Sequence, residues 1–395
     1  MTLYPLLRLK PKEGRRVRAG APWVFSNEIE MTPALKALAP GSLVRVEGGD
    51  GRPFGTGYFN PASLIAARLL SPDPESRIDE AFFVERISHA LSLRQAFFET
   101  PFYRLIHAEG DGLPGLVIDR FDDVLVLQIT TAGMEALIAP LQRALESVIA
   151  PRVMILRNDT PARLLEKLDL YARPLKGGMP PHVVVEENGV RYFADLEGGQ
   201  KTGWYFDQRF NRADVAALAR GHTMLDVYCH GGGFSLLAAK RGAREAIGID
   251  SSQSALSQAE EAATANGVSS NCKFIKADAF VELERLGTQG DVFDIVVADP
   301  PPFVKARKDL EAGARAYRRL ARLAAVVTAP GGFLFLASCS HNISAERFAA
   351  ECAAGIARTG RRAALVRQSG AGPDHPVHPL LPETAYLKAL LYRLG

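Results

Sequence analysis

The stretch Leu225-Asp-Val-Tyr-Cys-His-Gly-Gly-Gly-Phe234 is an apolar segment that ends in a glycine-rich turn. A helical pattern over residues 234–241 follows the turn at once. Five short apolar segments then alternate with amphipathic helices along this half of the chain: residues 223–228, 245–250, 273–276, 293–298 and 332–337. Such alternation is typical of parallel βαβ units. The sequence therefore predicts an α/β fold with a Rossmann-like, doubly wound sheet over residues 181–395.

The preceding residues have a different pattern. Three short strand patterns separated by glycine turns predict a small β-rich domain over residues 1–74, at 42–47, 55–59 and 64–70. A helical pattern, a strand and a second helix predict a mixed α/β domain over residues 75–180, at 78–100, 124–129 and 134–149. A segment rich in glycine and proline, residues 174–181, marks the boundary with the third domain.

The composition is that of an ordinary globular protein. The chain has 395 residues, of which 47% are hydrophobic and 23% charged, and its net charge of +3 is compatible with a polyanionic partner. The four cysteines are scattered, which predicts neither a metal site nor a disulfide scaffold. The first residues do not resemble a signal peptide, and no run of 18 apolar residues occurs. We therefore expect a cytoplasmic protein that does not enter a membrane.

The glycine-rich turn and the acidic residues after it predict a nucleoside cofactor site. Glycines let the backbone approach a ligand closely at the carboxyl edge of a parallel sheet. Asp250 ends the strand that follows, where a carboxylate can accept both ribose hydroxyls. Asp278 follows the third strand and can face an adenine. The predicted cofactor-binding loop comprises Gly231, Gly232, Gly233 and Phe234.

The form of the turn distinguishes between two cofactors. A dinucleotide would call for Gly-x-Gly-x-x-Gly, which places a helix N-terminus under the pyrophosphate. Here the glycines are consecutive, and Asp226 lies in the strand where it would repel a diphosphate but suit a sulfonium and an ammonium. The pattern favours S-adenosyl-L-methionine and disfavours a dehydrogenase. A glycine turn that serves packing alone is the other alternative.

The segment Asp299-Pro-Pro-Pro-Phe303 follows the fourth strand. This motif is typical of enzymes that methylate a planar amine or base. The prolines make the loop rigid and remove N–H donors. Asp299 can accept a hydrogen bond from the target beside the cofactor, and Phe303 can stack on a base. A turn that is merely stiffened by proline is the structural alternative.

Four further motifs carry a family resemblance. They are Gly199-Gln-Lys-Thr-Gly-Trp-Tyr-Phe-Asp-Gln-Arg209, His230-Gly-Gly-Gly-Phe-Ser235, Ser338-Cys-Ser340 and Pro382-Glu-Thr-Ala-Tyr-Leu-Lys388. With them, nearly the whole chain resembles the bacterial 23S ribosomal RNA large-subunit methyltransferase I family, which makes 5-methylcytosine. Residues 41–68 resemble the PUA domain of that family, an RNA-binding module. The chain departs from the family pattern at Ala21, where histidine is frequent, and at Pro302, where lysine is usual.

The resemblance implies a partner and roles for particular residues. The partner would be 23S ribosomal RNA, and the oligomeric state stays open, with the resemblance pointing to a homodimer. Lys201 and Arg209 belong to the signature segment and would order the substrate or the carboxylate of the cofactor. The resemblance also implies that Cys339 is the nucleophile.

Cys339 follows an apolar strand, so it should emerge at the ligand edge of the sheet. Carbon 5 of cytosine is a poor nucleophile until a thiolate adds to carbon 6, and Asp299 can then stabilise the adduct. A small residue buried at a strand end is the alternative for Cys339. Two other functions remain open: methylation of an exocyclic base amine, which needs no thiol, and a catalytically inactive RNA-binding factor of ribosome assembly.

A basic segment follows the Asp-Pro-Pro loop. It contains Lys305, Arg307, Lys308, Arg315, Arg318, Arg319 and Arg322. Such a segment is suited to contacts with a phosphate backbone, and a solvated helix face is the equally weighted alternative.

Overall fold

The computed structural model describes residues 4–196 and 202–395. The chain forms two compact units. The first comprises Met1–Pro181, Leu196–Trp204 and Pro373–Pro382, and the second comprises His182–Asp195, Tyr205–Gly372 and Glu383–Gly395. Two short segments of the C-terminal half thus belong to the first unit. The three-domain division at residues 74 and 180 stays a prediction.

The first part of the first unit is a five-stranded sheet with two short helices. Its elements are β1 (Leu6–Arg8), α1 (Arg15–Arg18), β2 (Trp23–Phe25), α2 (Pro33–Lys36), β3 (Ser42–Glu47), β4 (Pro53–Phe59) and β5 (Ile65–Ser71). The strand order is β1-β3-β4-β5-β2, with β1 parallel to β3 and the other pairs antiparallel. Val44 and Val46 of β3 point into the core because alternate side chains of a strand share a face. The predicted β-rich character is confirmed.

The remainder of this unit is a second five-stranded sheet covered by helices. Its elements are α3 (Glu80–Gln95), β6 (Phe102–His107), β7 (Leu116–Phe121), β8 (Val124–Ile129), α4 (Ala132–Ala136), α5 (Ile138–Val148), β9 (Val153–Asn158) and β10 (Tyr171–Lys176). The strand order is β10-β9-β8-β7-β6. A separate apolar core, which includes Phe83, Ile87 and Leu127, lies between the helices and this sheet.

The helix expected over residues 134–149 is interrupted. Pro140 lacks an N–H, and its ring would clash with the carbonyl of Ala136 in a continuous helix. Leu137 leaves the helical region, with φ −102° and ψ 12°, and α5 starts afresh at the next residue. Pro140 then lies in the first turn of α5, where no intrahelical donor is needed.

The second unit is an α/β fold. It begins with a hairpin and a helix, namely β11 (Val183–Glu187), β12 (Val190–Ala194) and α6 (Arg209–Ala216). The alternating elements are β13 (Thr223–Val227), α7 (Gly233–Lys240), β14 (Glu245–Asp250), α8 (Gln253–Ala265), β15 (Cys272–Lys276), α9 (Ala279–Gln289), β16 (Phe293–Ala298), α10 (Leu310–Val326), β17 (Thr328–Ser338), α11 (Ala345–Ala357), β18 (Ala363–Ser369) and β19 (Lys388–Leu394). Short 3-10 helices lie elsewhere in the chain at Ser26–Glu28, Ala108–Asp111, Pro161–Glu166, Phe206–Gln208, Arg307–Asp309 and Pro382–Thr384.

The main sheet of the second unit has seven strands in the order β15-β14-β13-β16-β17-β19-β18. The first five are mutually parallel, whereas β19 runs antiparallel to β17, and β18 in turn runs antiparallel to β19. The predicted doubly wound sheet is confirmed, and its carboxyl edge gathers the ends of five parallel strands. Within residues 4–196 and 202–395, no helix combines the length and apolar character needed to cross a membrane.

Candidate active site

The carboxyl edge of the parallel strands collects the predicted site residues. Asp278 follows β15, Asp250 ends β14, Tyr228 follows β13, Asp299 follows β16, and Cys339 follows β17. These strands are neighbours in that order in the sheet. Residues up to 111 positions apart in sequence therefore lie along one edge, which is where ligands bind in such sheets.

The loop after β13 has an unusual backbone. Tyr228 and His230 adopt positive φ angles of 67° and 49°, and Gly232 has φ 75°. Left-handed residues that are not glycine are strained, and they cluster at functional sites. The loop is held to β14 because the amides of Tyr228 and Cys229 both donate to the carbonyl of Ile249, at 2.9 Å and 3.0 Å.

The glycines of the loop meet packing requirements as well. A Cβ on Gly233 would lie 3.0 Å from Cδ of Arg212, and a Cβ on Gly232 would lie 3.1 Å from Cβ of Ala259. Gly231 is buried with them. Phe234 is 6% exposed, and its ring centroid lies 5.3 Å from that of Phe335 in the interior of the unit. The predicted cofactor contacts of these four residues stay a prediction.

Asp226 lies beneath the loop. It is 1% exposed, and its Oδ2 accepts hydrogen bonds from Oγ and N of Ser235, at 2.8 Å and 3.1 Å. The carboxylate thereby joins β13 to the first turn of α7. Burial raises the pKa of Asp226 to about 6. A buried carboxylate is stabilised by a nearby cation, so this environment suits a positively charged ligand.

Asp250 and Asp278 retain acceptor capacity. Oδ2 of Asp250 accepts from the amide of His230 at 3.0 Å, and Oδ1 accepts from the amide of Ser252 at 2.8 Å. Each oxygen of a carboxylate has two lone pairs, so Asp250 can hold the loop and still accept ribose hydroxyls. Asp278 is exposed and caps α9 through a 3.0 Å bond from the amide of Val281. The donors and acceptors of this edge fit a nucleoside.

Asp299 is half-buried at the end of β16, and its Oδ2 accepts a hydrogen bond from Nε2 of Gln208 at 2.8 Å. Burial, together with the nearby Asp207 carboxylate, raises the pKa of Asp299 to about 7. A carboxyl group with such a pKa is partly protonated at neutral pH. It can therefore donate a hydrogen bond as well as accept one.

Tyr205 lies among these groups, and beyond its place in the signature segment no sequence pattern singles it out. Burial raises the pKa of its hydroxyl, and the charges of Asp207, Asp299 and Cys339 raise it further. Its ring centroid lies 5.3 Å from that of His230 in the glycine loop. Tyr205 is thus within electrostatic reach of both strand-end residues, Asp299 and Cys339.

The other residues selected from the signature segment have different surroundings. Nε of Arg209 lies 3.3 Å from a carboxylate oxygen of Glu187, and Arg212 pairs with the same carboxylate at 2.7 Å. The side chain of Arg209 is nearly fully buried in this cluster. Its assignment as a substrate-binding residue stays a prediction. Lys201 lies outside the described residues.

A tyrosine joins the Asp-Pro-Pro loop to the Ser-Cys-Ser segment. The hydroxyl of Tyr317 on α10 lies 2.8 Å from Oγ of Ser338 and 2.8 Å from Oγ of Ser340. It also accepts a 3.4 Å hydrogen bond from the amide of Phe303. The ring of Phe303 packs against that of Tyr317 at 4.8 Å between centroids, with the two planes tilted by 44°. No sequence pattern identifies Tyr317, because α10 has the pattern of an ordinary amphipathic helix.

Cys339 differs from the other three cysteines. It is half-buried at the end of β17, whereas Cys229, Cys272 and Cys352 are buried. Burial raises the pKa of each of these three thiols, for Cys272 to about 12. They are consequently poor nucleophiles, since the thiolate is the reactive form.

Some side chains of the basic segment are engaged in ion pairs, and others are exposed. Nε of Arg318 lies 2.6 Å from Glu351, and Nη2 of Arg319 lies 2.8 Å from Glu284. Arg307, Lys308 and Arg315 are exposed and form no ion pair within the described part of the chain. These three side chains are therefore available to a polyanion.

Comparison with known proteins agrees with this architecture. Residues 7–72 match a family of PUA-like domains, and residues 104–393 match the S-adenosylmethionine-dependent methyltransferase family. The ribosomal RNA large subunit methyltransferase I of Aeromonas hydrophila is 36% identical over 378 residues, which cover 94% of this chain and 95% of that protein. The protein of that name from Shewanella denitrificans is 35% identical over 393 residues, covering 98% and 99%.

Solved structures share the fold. A Streptococcus mutans protein assigned as a SAM-dependent methyltransferase superposes with a TM-score of 0.83 at 19% identity, covering 98% of this chain and 100% of that one. A second methyltransferase structure, complexed with SAH, gives 0.84 at 18% identity with the same coverage. The chain uses S-adenosyl-L-methionine as its cofactor, and it belongs to the ribosomal RNA large subunit methyltransferase I family.

Proposed function

We propose that the protein transfers a methyl group from S-adenosyl-L-methionine to carbon 5 of a cytosine in 23S ribosomal RNA, with Cys339 as the nucleophile. One observation carries this proposal. Cys339 is the half-buried cysteine, and it ends the strand next to β16, whose own end carries Asp299. A thiol and a carboxyl group at adjacent strand ends are the two groups that this chemistry requires.

The reaction begins at the thiolate of Cys339. Its attack forms a bond between Sγ and carbon 6, and the electrons of the C5–C6 double bond shift toward N3 of the base. Asp299, with a pKa of about 7, supplies a proton or hydrogen bond to N3 and so stabilises the adduct. The cofactor supplies the methyl group as an electrophilic sulfonium. Loss of the C5 proton to a base then re-forms the double bond and expels the thiolate.

The remaining predicted site residues have roles under this proposal. For the cofactor, Asp250 accepts the ribose hydroxyls, and Asp278 faces the adenine. Asp226, Gly231, Gly232, Gly233 and Phe234 shape the loop around it. For the substrate, Phe303 stacks on the base, and Arg209 and Lys201 order the RNA. A ribosomal RNA substrate places the protein in the cytoplasm, and homodimerisation is part of the same proposal.

The test is methyl transfer from labelled S-adenosyl-L-methionine to total RNA of a strain that lacks the gene, followed by nucleoside mass spectrometry. We expect 5-methylcytidine on large-subunit RNA with the wild type. Cys339→Ala should make none while still binding the cofactor in isothermal titration calorimetry. Cys352→Ala serves as the matched control, because that thiol is buried on α11 outside the cofactor loop, and it should keep the activity.

Other outcomes would identify the alternatives. An N-methylated base that persists in Cys339→Ala would contradict the thiol mechanism and support methylation of an exocyclic amine. RNA binding without any methyl transfer would contradict the enzyme proposal and support an assembly factor.

A further inference from the structure

A buried lysine lies beside Cys339. Lys388 begins β19, which pairs antiparallel with β17, and Lys388 is directly opposite Ser338 in that pairing. Lys388 is only 9% exposed to solvent. Lysine is almost never buried without an anionic or hydrogen-bonding partner, because removing an ammonium from water is costly. We therefore expect the ammonium of Lys388 to have an anionic or hydrogen-bonding partner in this part of the second unit.

The hydrogen bond of Lys388 directs its side chain along the Ser-Cys-Ser segment. Nζ donates to the carbonyl of Ser340 at 2.5 Å, two residues beyond the position that Lys388 faces in the sheet. The side chain thus passes the backbone of Cys339. An ammonium has three N–H donors, and the other two have no partner among the described residues. These two N–H groups can donate hydrogen bonds to an anion at this position.

The charges of Lys388 and Cys339 interact. Burial lowers the pKa of Lys388, and the Cys339 thiol acts in the opposite direction by favouring the ammonium. Such an interaction is mutual, so the ammonium favours the thiolate of Cys339 by the same free energy. A thiol beside a lysine is more reactive at neutral pH than an isolated one.

Most other titratable groups around the thiol cannot provide positive charge. These groups are Tyr317 on α10, Asp299 after β16, Tyr205 and Asp207 before α6, and Tyr386 before β19. From α11 and β18, the charged groups include the ion pairs Glu351–Arg318, Glu351–Arg347 and Arg367–Asp214. Arg209 and Arg212 are paired with Glu187. Among the described residues, His341, two residues beyond Cys339, can also become cationic.

We propose that Lys388 is a positioning residue whose ammonium stabilises the thiolate of Cys339 and so increases the fraction of reactive nucleophile at neutral pH. This inference rests on the proposed role of Cys339. It goes further by assigning the group that activates the thiol, and it explains why a lysine is buried at the start of β19.

The test is the pH dependence of Cys339 alkylation by iodoacetamide, measured on the intact protein by peptide mass spectrometry. The wild type should have a midpoint below that of a free thiol, about 8.5. Lys388→Met should raise the midpoint by about one pH unit, which lowers the alkylation rate at neutral pH about tenfold. Lys388→Arg, which keeps the charge, should restore most of the rate.

Two controls accompany this measurement. Lys240→Met removes another lysine that donates to a backbone carbonyl, that of Asn266 at 3.2 Å, and it should leave the midpoint unchanged. His341→Gln should also leave it unchanged. A shift in His341→Gln with none in Lys388→Met would overturn the proposal, because the histidine would then be the activating cation.

The remaining outcomes are also decisive. An unchanged midpoint in folded Lys388→Met overturns the proposal. If Lys388→Met fails to fold, as judged by circular dichroism, the wild-type midpoint decides, and a value at or above about 8.5 overturns it. The assay contains neither RNA nor cofactor. A low midpoint in an enzyme that makes no 5-methylcytidine would therefore contradict the proposed function and not the activation of the thiol.

Discussion

Gln208 donates a hydrogen bond from Nε2 to Oδ2 of Asp299 over 2.8 Å, and its own Oε1 accepts one from Nδ2 of Asn211 over 2.6 Å. The second bond fixes the orientation of the amide, so that its donor faces the carboxylate. A residue of the signature segment thereby orients the carboxyl group of the Asp-Pro-Pro loop. This hydrogen bond joins two motifs that lie 91 residues apart in the sequence.

Gln208→Leu should reduce methyl transfer about tenfold or more, because Asp299 loses the donor that fixes its position, and misoriented groups stabilise a transition state poorly. The measurement is kcat for labelled methyl transfer to RNA. Gln142→Leu removes a comparable 3.2 Å bond to Glu146 on α5 and should retain full activity. Equal kcat values for the two variants would contradict an orienting role for Gln208.

Asp299 should make the free energy of unfolding depend on pH. Its pKa rises from 3.8 to about 7 on folding, so between these values the folded protein binds more protons than the unfolded chain. The free energy of unfolding therefore falls as pH rises through this window. Asp299→Asn should lack this decline and gain roughly 1–3 kcal/mol over the wild type between about pH 5 and about pH 8.

Urea unfolding at the two pH values measures this gain. Asp50→Asn is the control, because folding shifts the pKa of Asp50 in the opposite direction. A hydrogen bond from Arg18 holds that pKa below 3.8. The stability linked to Asp50 is lost only at lower pH, and that variant should show no difference within the window. A wild type and an Asp299→Asn protein with parallel pH profiles would show that Asp299 titrates normally.

Tyr317→Phe should loosen the connection between the Asp-Pro-Pro loop and the Ser-Cys-Ser segment. The hydroxyl bonds to Ser338, Ser340 and the amide of Phe303, and each would lose a partner inside the protein. We expect a loss of about 1–3 kcal/mol in the free energy of unfolding. Methyl transfer should fall as well, because the position of Cys339 depends on its two serine neighbours.

Tyr58→Phe is the matched control for this variant. The hydroxyl of Tyr58 is also buried and donates to the carbonyl of Pro114 at 2.8 Å, but it belongs to the first unit. It should lose stability by a similar amount while methyl transfer persists, measured at a temperature where both variants are folded. Equal losses of activity in the two variants would argue against a specific role for Tyr317.

Gly248→Ala should displace the cofactor loop. A Cβ at this position would lie 2.7 Å from the ring of Phe274 and 2.8 Å from Sγ of Cys229. Because Cys229 belongs to the loop, we expect weaker binding of S-adenosyl-L-methionine and a loss of about 1–3 kcal/mol in stability. Calorimetric titration and urea unfolding measure the two effects. Gly178→Ala, where the new Cβ meets nothing within 4 Å, should change neither.

Removing the unpaired positive charges should weaken RNA binding. The double variant Lys308→Ala and Arg315→Ala should lower affinity and reduce the slope of log affinity against log salt by about one for each lost phosphate contact. Filter binding at several salt concentrations measures the slope. Arg143→Ala removes an exposed arginine that is already paired with Glu80 and should leave the slope unchanged. Identical slopes would indicate that this helix face is solvated surface.

The sequence was sufficient for the five parallel strands of the second unit, whereas β11, β12, β18 and β19 were not predicted. Predicted strands 245–250 and 293–298 coincide with β14 and β16, because short apolar runs between turns and helices are local signals. Two predicted helices differ in extent: the helix expected over 78–100 ends at Gln95, and the helix expected over 134–149 is divided by Pro140, whose effect is also local. The placement of Asp250, Asp278 and Asp299 at one sheet edge followed from the same pattern.

The fold class, the cofactor and the sheet edge that carries the candidate site could thus be predicted from the amino-acid pattern. The presence of Tyr205, Tyr317 and Lys388 around this candidate site could not, because it depends on the folding of distant segments against one another. Lys388 reaches the Ser-Cys-Ser segment because β19 runs antiparallel to β17 in one register, and a shift of one residue would turn its side chain to the other face of the sheet. Periodicity is encoded in neighbouring residues, whereas register depends on packing between distant segments, and no local pattern records it.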